Sequence, residues 1–153
     1  MITVMKFGGT SVGSAEALNR VANIIANKEG EKVVVVSAMS GITNYLVSVV
    51  DNPLADIDSV LEQFSQKHLM TASQLFDGQT MDEFRTEFDA RMQNLRAAME
   101  ADRDDPFYGD AVVSQGERFS SLILAYLLRS MGYKSVALTS EDAGIVAVGQ
   151  PMS

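Results

Sequence analysis

The chain has 153 residues, 46% of them hydrophobic and 21% charged, which is ordinary for one globular domain with a sizeable core. It contains no cysteine, which excludes a disulfide framework and a thiolate metal site. A formal net charge of −8 argues against a nucleic-acid partner, and no apolar run approaches the roughly 20 residues of a membrane span. The start of the chain does not resemble a signal peptide. We therefore expect a cytoplasmic protein that binds neither nucleic acid nor a membrane.

The start of the chain has the pattern of a strand, a helix and a second strand. Residues 1–7 predict the first strand. Apolar residues at helical spacing predict a helix over 15–28, with Ser14 as its N-cap and Gly30 just past its end. Residues 33–36 are four consecutive valines, which is typical of a strand covered on both faces in a parallel sheet. We therefore expect a right-handed βαβ unit.

An unusual loop follows the first strand, with the sequence Lys6-Phe7-Gly8-Gly9-Thr10-Ser11. Paired glycines let backbone N–H groups approach a ligand closely, and a helix that begins nearby favours an anion. Lysine adds a compact charge that can follow a phosphoryl group. The spacing matches neither a P-loop nor a dinucleotide-binding motif. The segment predicts polyphosphate binding, and the structural alternative is a lysine that reaches solvent from the edge of a sheet.

Small and hydroxyl-bearing residues also follow the second strand, over 37–44. Ser37 and Thr43 bracket a Ser-Gly turn, and a turn with a helix cap explains these hydroxyl groups as well as ligand binding does. A short helix is expected at about 42–51, because Asn52-Pro53 follows it.

Two longer helical patterns, separated by Gly78, predict a helical hairpin inserted into an α/β domain at about 56–105. This segment holds 12 acidic and five basic residues, so most of the negative charge lies away from the glycine loop. A solvated helical face is the simpler explanation of this charge. His68 is the only histidine and is interpreted as structural, and we find no credible metal cluster.

The last third of the chain predicts a polar loop over 102–109, a helix that opens at 114–117, and strands at 135–138 and 145–148, with a loop over 149–153. In open α/β sheets, ligands bind beyond the carboxyl ends of the strands. The three unusual loops, at 6–13, 37–44 and 114–117, lie at or near that edge and therefore predict one site.

Glu117 lies at the start of the last predicted helix. The helix dipole stabilises a carboxylate there, so a structural role is as well supported as the binding of a substrate ammonium. Its neighbour Arg118 is interpreted as a surface or intersubunit residue.

The chain resembles aspartate kinase, a member of the amino-acid kinase superfamily, in the order and spacing of three motifs. These motifs lie at residues 6–12, 35–44 and 116–121. Acetylglutamate, glutamate and uridylate kinases share the paired glycines but not the full Lys-Phe-Gly-Gly-Thr-Ser set. The resemblance covers the whole chain. It implies an α/β fold with three αβα layers and a mainly parallel sheet, which is incomplete in this chain and carries the helical hairpin as an insertion.

Aspartate kinases transfer the γ-phosphate of MgATP to the side-chain carboxylate of L-aspartate, giving 4-phospho-L-aspartate, the first step toward lysine, threonine and methionine. The resemblance implies that Lys6 is catalytic and stabilises the phosphoryl group in transfer. It also implies that the ATP phosphates contact Lys6, Gly8, Gly9 and Ser11, and that Mg²⁺ binds through the nucleotide. Phosphoryl transfer depends on positioning and charge stabilisation more than on covalent chemistry.

On the substrate side, the resemblance implies that Ser37 and Thr43 hold aspartate and that Glu117 binds its α-ammonium. An aspartate carboxylate is already ionised at neutral pH, so the transfer needs no general base. The absence of a catalytic histidine or cysteine is then expected.

The chain departs from the family in length, because an amino-acid kinase domain is nearly twice as long. No segment matches the Gly-Arg-Gly-Gly-Ser-Asp motif, which supplies an arginine for the aspartate carboxylate. We therefore expect residues 1–153 to be the N-terminal, aspartate-binding portion of a kinase domain, without the C-terminal ATP-binding half and the regulatory ACT domains, and inactive alone.

A sheet edge and an apolar surface left unpaired predict a homo-oligomer. The alternatives to a portion of an aspartate kinase are a non-catalytic oligomerising module and another carboxylate kinase of the same superfamily.

Overall fold

A four-stranded sheet with six helices makes up the described part of the chain, residues 1–139 and 144–151, in this computed structural model. In chain order the elements are β1 (Ile2–Phe7), α1 (Ala15–Asn27), β2 (Glu31–Val36), α2 (Ile42–Val50), α3 (Ile57–Ser73), α4 (Gly78–Glu100), α5 (Tyr108–Val113), α6 (Gly116–Ser130), β3 (Tyr133–Thr139) and β4 (Gly144–Pro151). The α/β class predicted from the sequence is confirmed. No helix of the described residues is long and apolar enough to cross a membrane.

The predicted βαβ unit is present at the start of the chain. The Oγ atom of Ser14 accepts a hydrogen bond from the backbone N–H of Ala17 at 3.1 Å, which confirms the predicted N-cap. Gly30 has φ of +85°, a conformation that L side chains rarely adopt, and it redirects the chain into β2. β1 and β2 then pair in parallel, as predicted.

The sheet as a whole is mixed rather than mainly parallel. Its strand order is β1-β2-β4-β3, and β4 runs antiparallel to both of its neighbours. The reason is the short connection between β3 and β4: β3 ends at Thr139 and β4 begins at Gly144, whereas a parallel crossover needs a dozen or more residues. β4 also extends through Pro151, so the predicted loop over 149–153 is wrong at 149–151, and 152–153 lie outside the described residues.

Helix α6 is the central element of the core. Every residue from Phe119 to Leu128 is buried, because the helix lies between the sheet and the hairpin formed by α3 and α4. The Phe119 ring packs edge-on against Phe64 of α3, with centroids 4.7 Å apart, and against Phe88 of α4 at 5.6 Å. The predicted helical insertion is therefore joined to the sheet through α6.

The two faces of the sheet differ in exposure. One face packs against α6, which also contacts α1, whereas Val4 and Val136 on the opposite face are 65% and 50% exposed. Val33 and Val35 of β2 lie on that opposite face and are half-buried. The described residues therefore form the sheet and the helices on one side of it, and the third layer of the predicted αβα arrangement is not among them.

One short helix was not predicted. The sequence predicts a loop over 102–109, but α5 begins at Tyr108, whose hydroxyl donates a hydrogen bond to the Met99 carbonyl at 2.8 Å. This contact between neighbouring helices is tertiary, and the six-residue helix is too short to produce a periodic signal of its own.

Candidate functional site

The three loops predicted to form a site meet at the carboxyl ends of β1 and β2. The backbone N–H of Ser37 donates to the carbonyl oxygen of Phe7 at 3.2 Å, which joins the ends of the two strands. The Ser120 hydroxyl of α6 donates to the carbonyl oxygen of Ser37 at 2.6 Å. These two hydrogen bonds hold the start of α6 beside the strand ends.

Close packing explains three of the glycines at this edge. A Cβ atom on Gly9 would lie 3.2 Å from the Ala38 carbonyl oxygen, and one on Gly13 would lie 2.8 Å from the Ser40 Cβ. A Cβ atom on Gly116 would lie 2.9 Å from the Ala38 Cβ. Real Cβ atoms essentially never come within 3.0 Å of such neighbours, so a side chain at Gly13 or Gly116 would force a neighbour to move, whereas the contact at Gly9 would only be tight. Glycine therefore allows the loops to approach each other.

Gly8 differs from these three glycines. A Cβ atom on Gly8 would meet nothing within 4 Å, and its φ is not positive. Neither packing nor backbone conformation therefore requires glycine at this position. The open space beside the Gly8 backbone is what close approach of a ligand needs.

The first of three cavities at this edge is lined by Lys6, Phe7, Gly8, Val35, Val36, Ser37 and Glu117, and we name it the Lys6 cavity. Its volume is about 350 Å³, within the range of small-molecule sites. Lys6 is exposed at the end of β1 and forms no ion pair within 4.0 Å with a described residue. The structure thus brings together four predicted site residues, Lys6, Gly8, Ser37 and Glu117.

The second cavity, the Thr43 cavity, has a volume of about 380 Å³ and is lined by Gly9, Thr10, Ser37, Ala38, Met39, Ser40, Gly41, Thr43 and Asn44. Ser37 lines both cavities, so they are neighbours. Thr43 is exposed as the second residue of α2, which begins after Gly41 with φ of +84°.

Ser11 is the predicted site residue that the structure places elsewhere. Its N–H closes a turn onto the Gly8 carbonyl oxygen at 3.0 Å, and the residue is half-buried. It lines neither the Lys6 cavity nor the Thr43 cavity.

Glu117 is the second residue of α6 and is half-buried. A Cβ atom on Gly144 would overlap the Glu117 carbonyl oxygen, so the start of β4 packs directly against this turn. Glu117 also lines a third cavity, of about 760 Å³, together with Phe107, Asp110, Ala111, Val113, Ser114, Gln115 and Arg118. We name it the Arg118 cavity. Glu117 therefore lies between the Lys6 cavity and the Arg118 cavity.

The sequence analysis missed Arg91, which supports this turn from the core side. Its Nη1 donates to the Arg118 carbonyl oxygen at 2.5 Å and its Nη2 donates to the Ala137 carbonyl oxygen at 3.3 Å. Burial lowers the pKa of Arg91, with smaller effects from Glu87, which raises it, and from Arg118, which lowers it. The signal was present in the sequence, because Arg91 is the one charged residue on the buried stripe of α4.

The site offers an ammonium group, exposed backbone, hydroxyl groups and a carboxylate. Such a set can bind a ligand that carries both anionic groups and an ammonium group. Among the described residues, no group of three histidine, cysteine, aspartate or glutamate side chains could hold a metal ion.

Comparison with known proteins decides the family. The model of the amino acid kinase family matches residues 1–151. The chain belongs to the amino acid kinase family. Among its relatives is the chloroplastic bifunctional aspartokinase/homoserine dehydrogenase 2 of Arabidopsis thaliana, 33% identical over 154 residues, which cover 95% of this chain and 17% of that protein. Another is the lysine-sensitive aspartokinase 3 of Escherichia coli, 33% identical over 84% of this chain and 28% of the relative.

Solved structures support the same assignment. Aspartokinase III of E. coli in complex with lysine and aspartate has a TM-score of 0.69 and 30% identity, over 85% of this chain and 29% of that one. The same enzyme with aspartate and ADP has a TM-score of 0.69 and 29% identity, over 87% and 30% of the two chains. The amino-acid kinase fold is thus confirmed, for a chain that spans less than a third of these proteins.

The relatives include chloroplastic plant proteins and bacterial ones. The cytoplasmic location predicted from the sequence therefore stays a prediction.

Proposed function

We propose that this chain is the aspartate-binding portion of an aspartate kinase, whose complete form transfers the γ-phosphate of ATP to the side-chain carboxylate of L-aspartate. The product, 4-phospho-L-aspartate, opens the route to lysine, threonine and methionine. The observation that carries the proposal is the Lys6 cavity, where Lys6, Gly8, Ser37 and Glu117 meet in a chain similar to proteins whose structures contain aspartate and ADP.

The residues present fit the phosphate end of a nucleotide. The backbone beside Gly8 is open, and Lys6 is an exposed ammonium on the same cavity. ATP, when bound, supplies the phosphoryl group, and in this proposal Mg²⁺ binds with it. In this proposal Gly9, which lines the adjoining Thr43 cavity, contacts the same phosphates. Ser11 lines neither cavity and is the weakest of the proposed phosphate contacts.

The residues Glu117, Ser37 and Thr43, which line the Lys6 cavity or the adjoining Thr43 cavity, fit an amino-acid substrate. In the proposal the Glu117 carboxylate binds the α-ammonium, and the Ser37 and Thr43 hydroxyl groups hold the substrate near the strand ends. Lys6 then offsets negative charge where the acceptor carboxylate and the phosphoryl group meet. The chain's residues position two anions against each other, and they need no side chain that accepts a proton.

The test is a pair of titrations on the purified 153-residue chain, with L-aspartate and with MgATP, followed by NMR chemical shifts. Lys6→Ala should weaken MgATP binding at least tenfold and change L-aspartate binding less than threefold. Glu117→Gln should do the reverse. Lys28→Ala, a change at another exposed lysine, should leave both affinities unchanged. Equal effects of Lys6→Ala and Lys28→Ala would refute the role of Lys6.

A complementary measurement is ADP release from MgATP with L-aspartate, L-glutamate or no amino acid. We expect no turnover by this chain alone. Turnover that depends on aspartate would show that a working nucleotide site forms within these residues and would refute the proposal that the chain is only one portion of the enzyme. A preference for glutamate in binding or turnover would favour another carboxylate kinase of the family.

The exposed apolar face of the sheet favours a second candidate, a non-catalytic oligomerising module. Such a module needs none of the cavity residues. Its L-aspartate and MgATP titrations would show no binding, or binding that Lys6→Ala and Glu117→Gln leave unchanged.

A further inference from the structure

Two adjacent serines of α6, Ser120 and Ser121, are completely buried, but their hydroxyl groups have different partners. Each lies 3.3 Å from a carbonyl oxygen one turn back in the helix, that of Glu117 for Ser120 and that of Arg118 for Ser121. Among the described residues, Ser120 also has an acceptor outside its helix, the Ser37 carbonyl oxygen at 2.6 Å. A bond within the helix would already satisfy a buried serine, so the second acceptor needs its own explanation.

The bond to Ser37 is the stronger of the two that Ser120 forms. A hydroxyl group has one proton to donate. A distance of 2.6 Å lies within the normal range of O–H···O hydrogen bonds, whereas 3.3 Å lies beyond it. The proton is therefore directed to Ser37. One buried oxygen atom thus contacts the backbone of two proposed binding residues, Ser37 and Glu117.

The position of Ser37 depends on hydrogen bonds of its backbone. Its N–H donates to the Phe7 carbonyl oxygen at 3.2 Å, and its carbonyl oxygen accepts from Ser120. The residue itself is exposed and lines both the Lys6 cavity and the Thr43 cavity, so packing of its own side chain contributes little. Ser120 therefore supplies one of the two bonds that fix the Ser37 hydroxyl in the site.

The other end of this connection, the first turn of α6, is held by two further elements. A Cβ atom on Gly144, at the start of β4, would overlap the Glu117 carbonyl oxygen. Arg91 of α4 donates to the Arg118 carbonyl oxygen at 2.5 Å. Because the turn is fixed from these sides, the Ser120 hydroxyl ties the end of β2 to a rigid support.

A ligand that contacts both Ser37 and Glu117 must match the distance between them. L-Aspartate and L-glutamate differ by one methylene group, which adds about 1.5 Å, the length of one carbon–carbon bond. In a pocket of fixed size, one methylene group is worth roughly 10- to 200-fold in discrimination. A loosely held Ser37 would lose this discrimination, because it could adjust to either length.

We propose that Ser120 is a positioning residue, whose hydroxyl group holds Ser37 at the distance from Glu117 that selects L-aspartate over L-glutamate. The inference rests on the proposed function and deepens it, because it names the side chain that sets the length of the accepted substrate. Ser120 acts through Ser37, since it is completely buried and lines neither the Lys6 cavity nor the Thr43 cavity.

The test measures a ratio of affinities. The chain, labelled with ¹³C and ¹⁵N, is titrated with L-aspartate and with L-glutamate, and the wild type should prefer L-aspartate at least about tenfold. Ser120→Ala should lower this preference at least about fivefold, and Ser120→Cys, which retains a weak donor, should give an intermediate value. Ser121→Ala is the matched control, because it removes an equally buried hydroxyl group, and it should leave the preference unchanged.

The outcomes separate this inference from the proposed function. If L-aspartate binds but the two alanine variants show the same preference, or the wild type shows none, the inference is overturned and the proposed function stands. If the wild type binds neither amino acid, the proposed function is overturned and the selectivity with it. The Ser37 carbonyl ¹³C resonance needs no ligand: it should move in Ser120→Ala and not in Ser121→Ala, and an unmoved resonance would refute the connection itself. Thermal unfolding checks each fold, and Ser120→Cys carries the comparison if Ser120→Ala does not fold.

Discussion

The stability of this chain should fall between pH 7 and pH 5 because of one buried side chain, His68. Its ring stacks on Phe64 with centroids 4.2 Å apart, and its Nδ1 lies 2.8 Å from the Phe64 carbonyl oxygen. Nε2 is buried and has no partner among the described residues, so the ring is held neutral with Nδ1 as the donor. Burial lowers the pKa of His68 from 6.5 to about 4, with a smaller opposing effect from the Phe64 hydrogen bond.

The sign follows from the direction of this pKa shift. Below pH 6.5 the unfolded chain binds a proton at His68, while the folded chain binds it only near pH 4. Acid therefore favours the unfolded state, and the full shift corresponds to about 3 kcal/mol of unfolding free energy. Between pH 7 and pH 5, before most carboxylates titrate, the expected loss is about 2 kcal/mol.

Urea unfolding at pH 7 and pH 5 measures this loss, and His68→Leu is the comparison. The variant places an apolar leucine in the aromatic cluster and leaves the chain with no histidine, since His68 is the only one. Its unfolding free energy should change by less than about 0.5 kcal/mol between the two pH values. If the wild type and His68→Leu lose the same stability, the buried-histidine explanation is wrong.

Three further predictions follow from the site and the open face. Gly8→Ala should change the unfolding free energy by less than about 0.5 kcal/mol but weaken MgATP binding at least tenfold. Gly13→Ala should instead lower the unfolding free energy by about 1–3 kcal/mol, because its Cβ would clash. Equal effects of the two changes on urea unfolding would contradict this contrast. Arg91→Met should lower the unfolding free energy by about 2 kcal/mol, since it removes the guanidinium hydrogen bonds to the carbonyl oxygens of Arg118 and Ala137. A neutral result in thermal unfolding would remove its structural role. The chain should self-associate at micromolar concentrations through the exposed apolar face of the sheet. The double variant Val4→Asp with Val136→Lys should be monomeric in light scattering. A monomeric wild type would contradict the role of this face in self-association.

Local features of the fold could be predicted from the sequence. The cap at Ser14, the left-handed Gly30 and the valine strand β2 depend on residues a few positions apart, and such patterns are visible without tertiary information. The three motif loops were predicted for the same reason, since each directly follows a strand or opens a helix. Their meeting at one edge followed from the general placement of ligands in α/β sheets.

Long-range contacts decided the rest. Nothing near Arg91 in the sequence shows that its guanidinium reaches the turn that carries Glu117, because the two residues are brought together only by the packing of α4 on α6. The close approaches at Gly13 and Gly116 depend on neighbours from a different loop, so the sequence could suggest a ligand where the structure shows packing. The antiparallel addition of β4, which makes the sheet mixed, likewise depends on pairing between distant strands.

The sequence by itself determined every element except α5, the order of these elements and the family to which the chain belongs, because these depend on local periodicity and on motifs of adjacent residues. Only the tertiary structure decided which face of the sheet is covered, which side chains share a cavity and that Glu117 separates two of the cavities. These properties arise from contacts between residues far apart in the chain, whose geometry is set by the packing of the whole core.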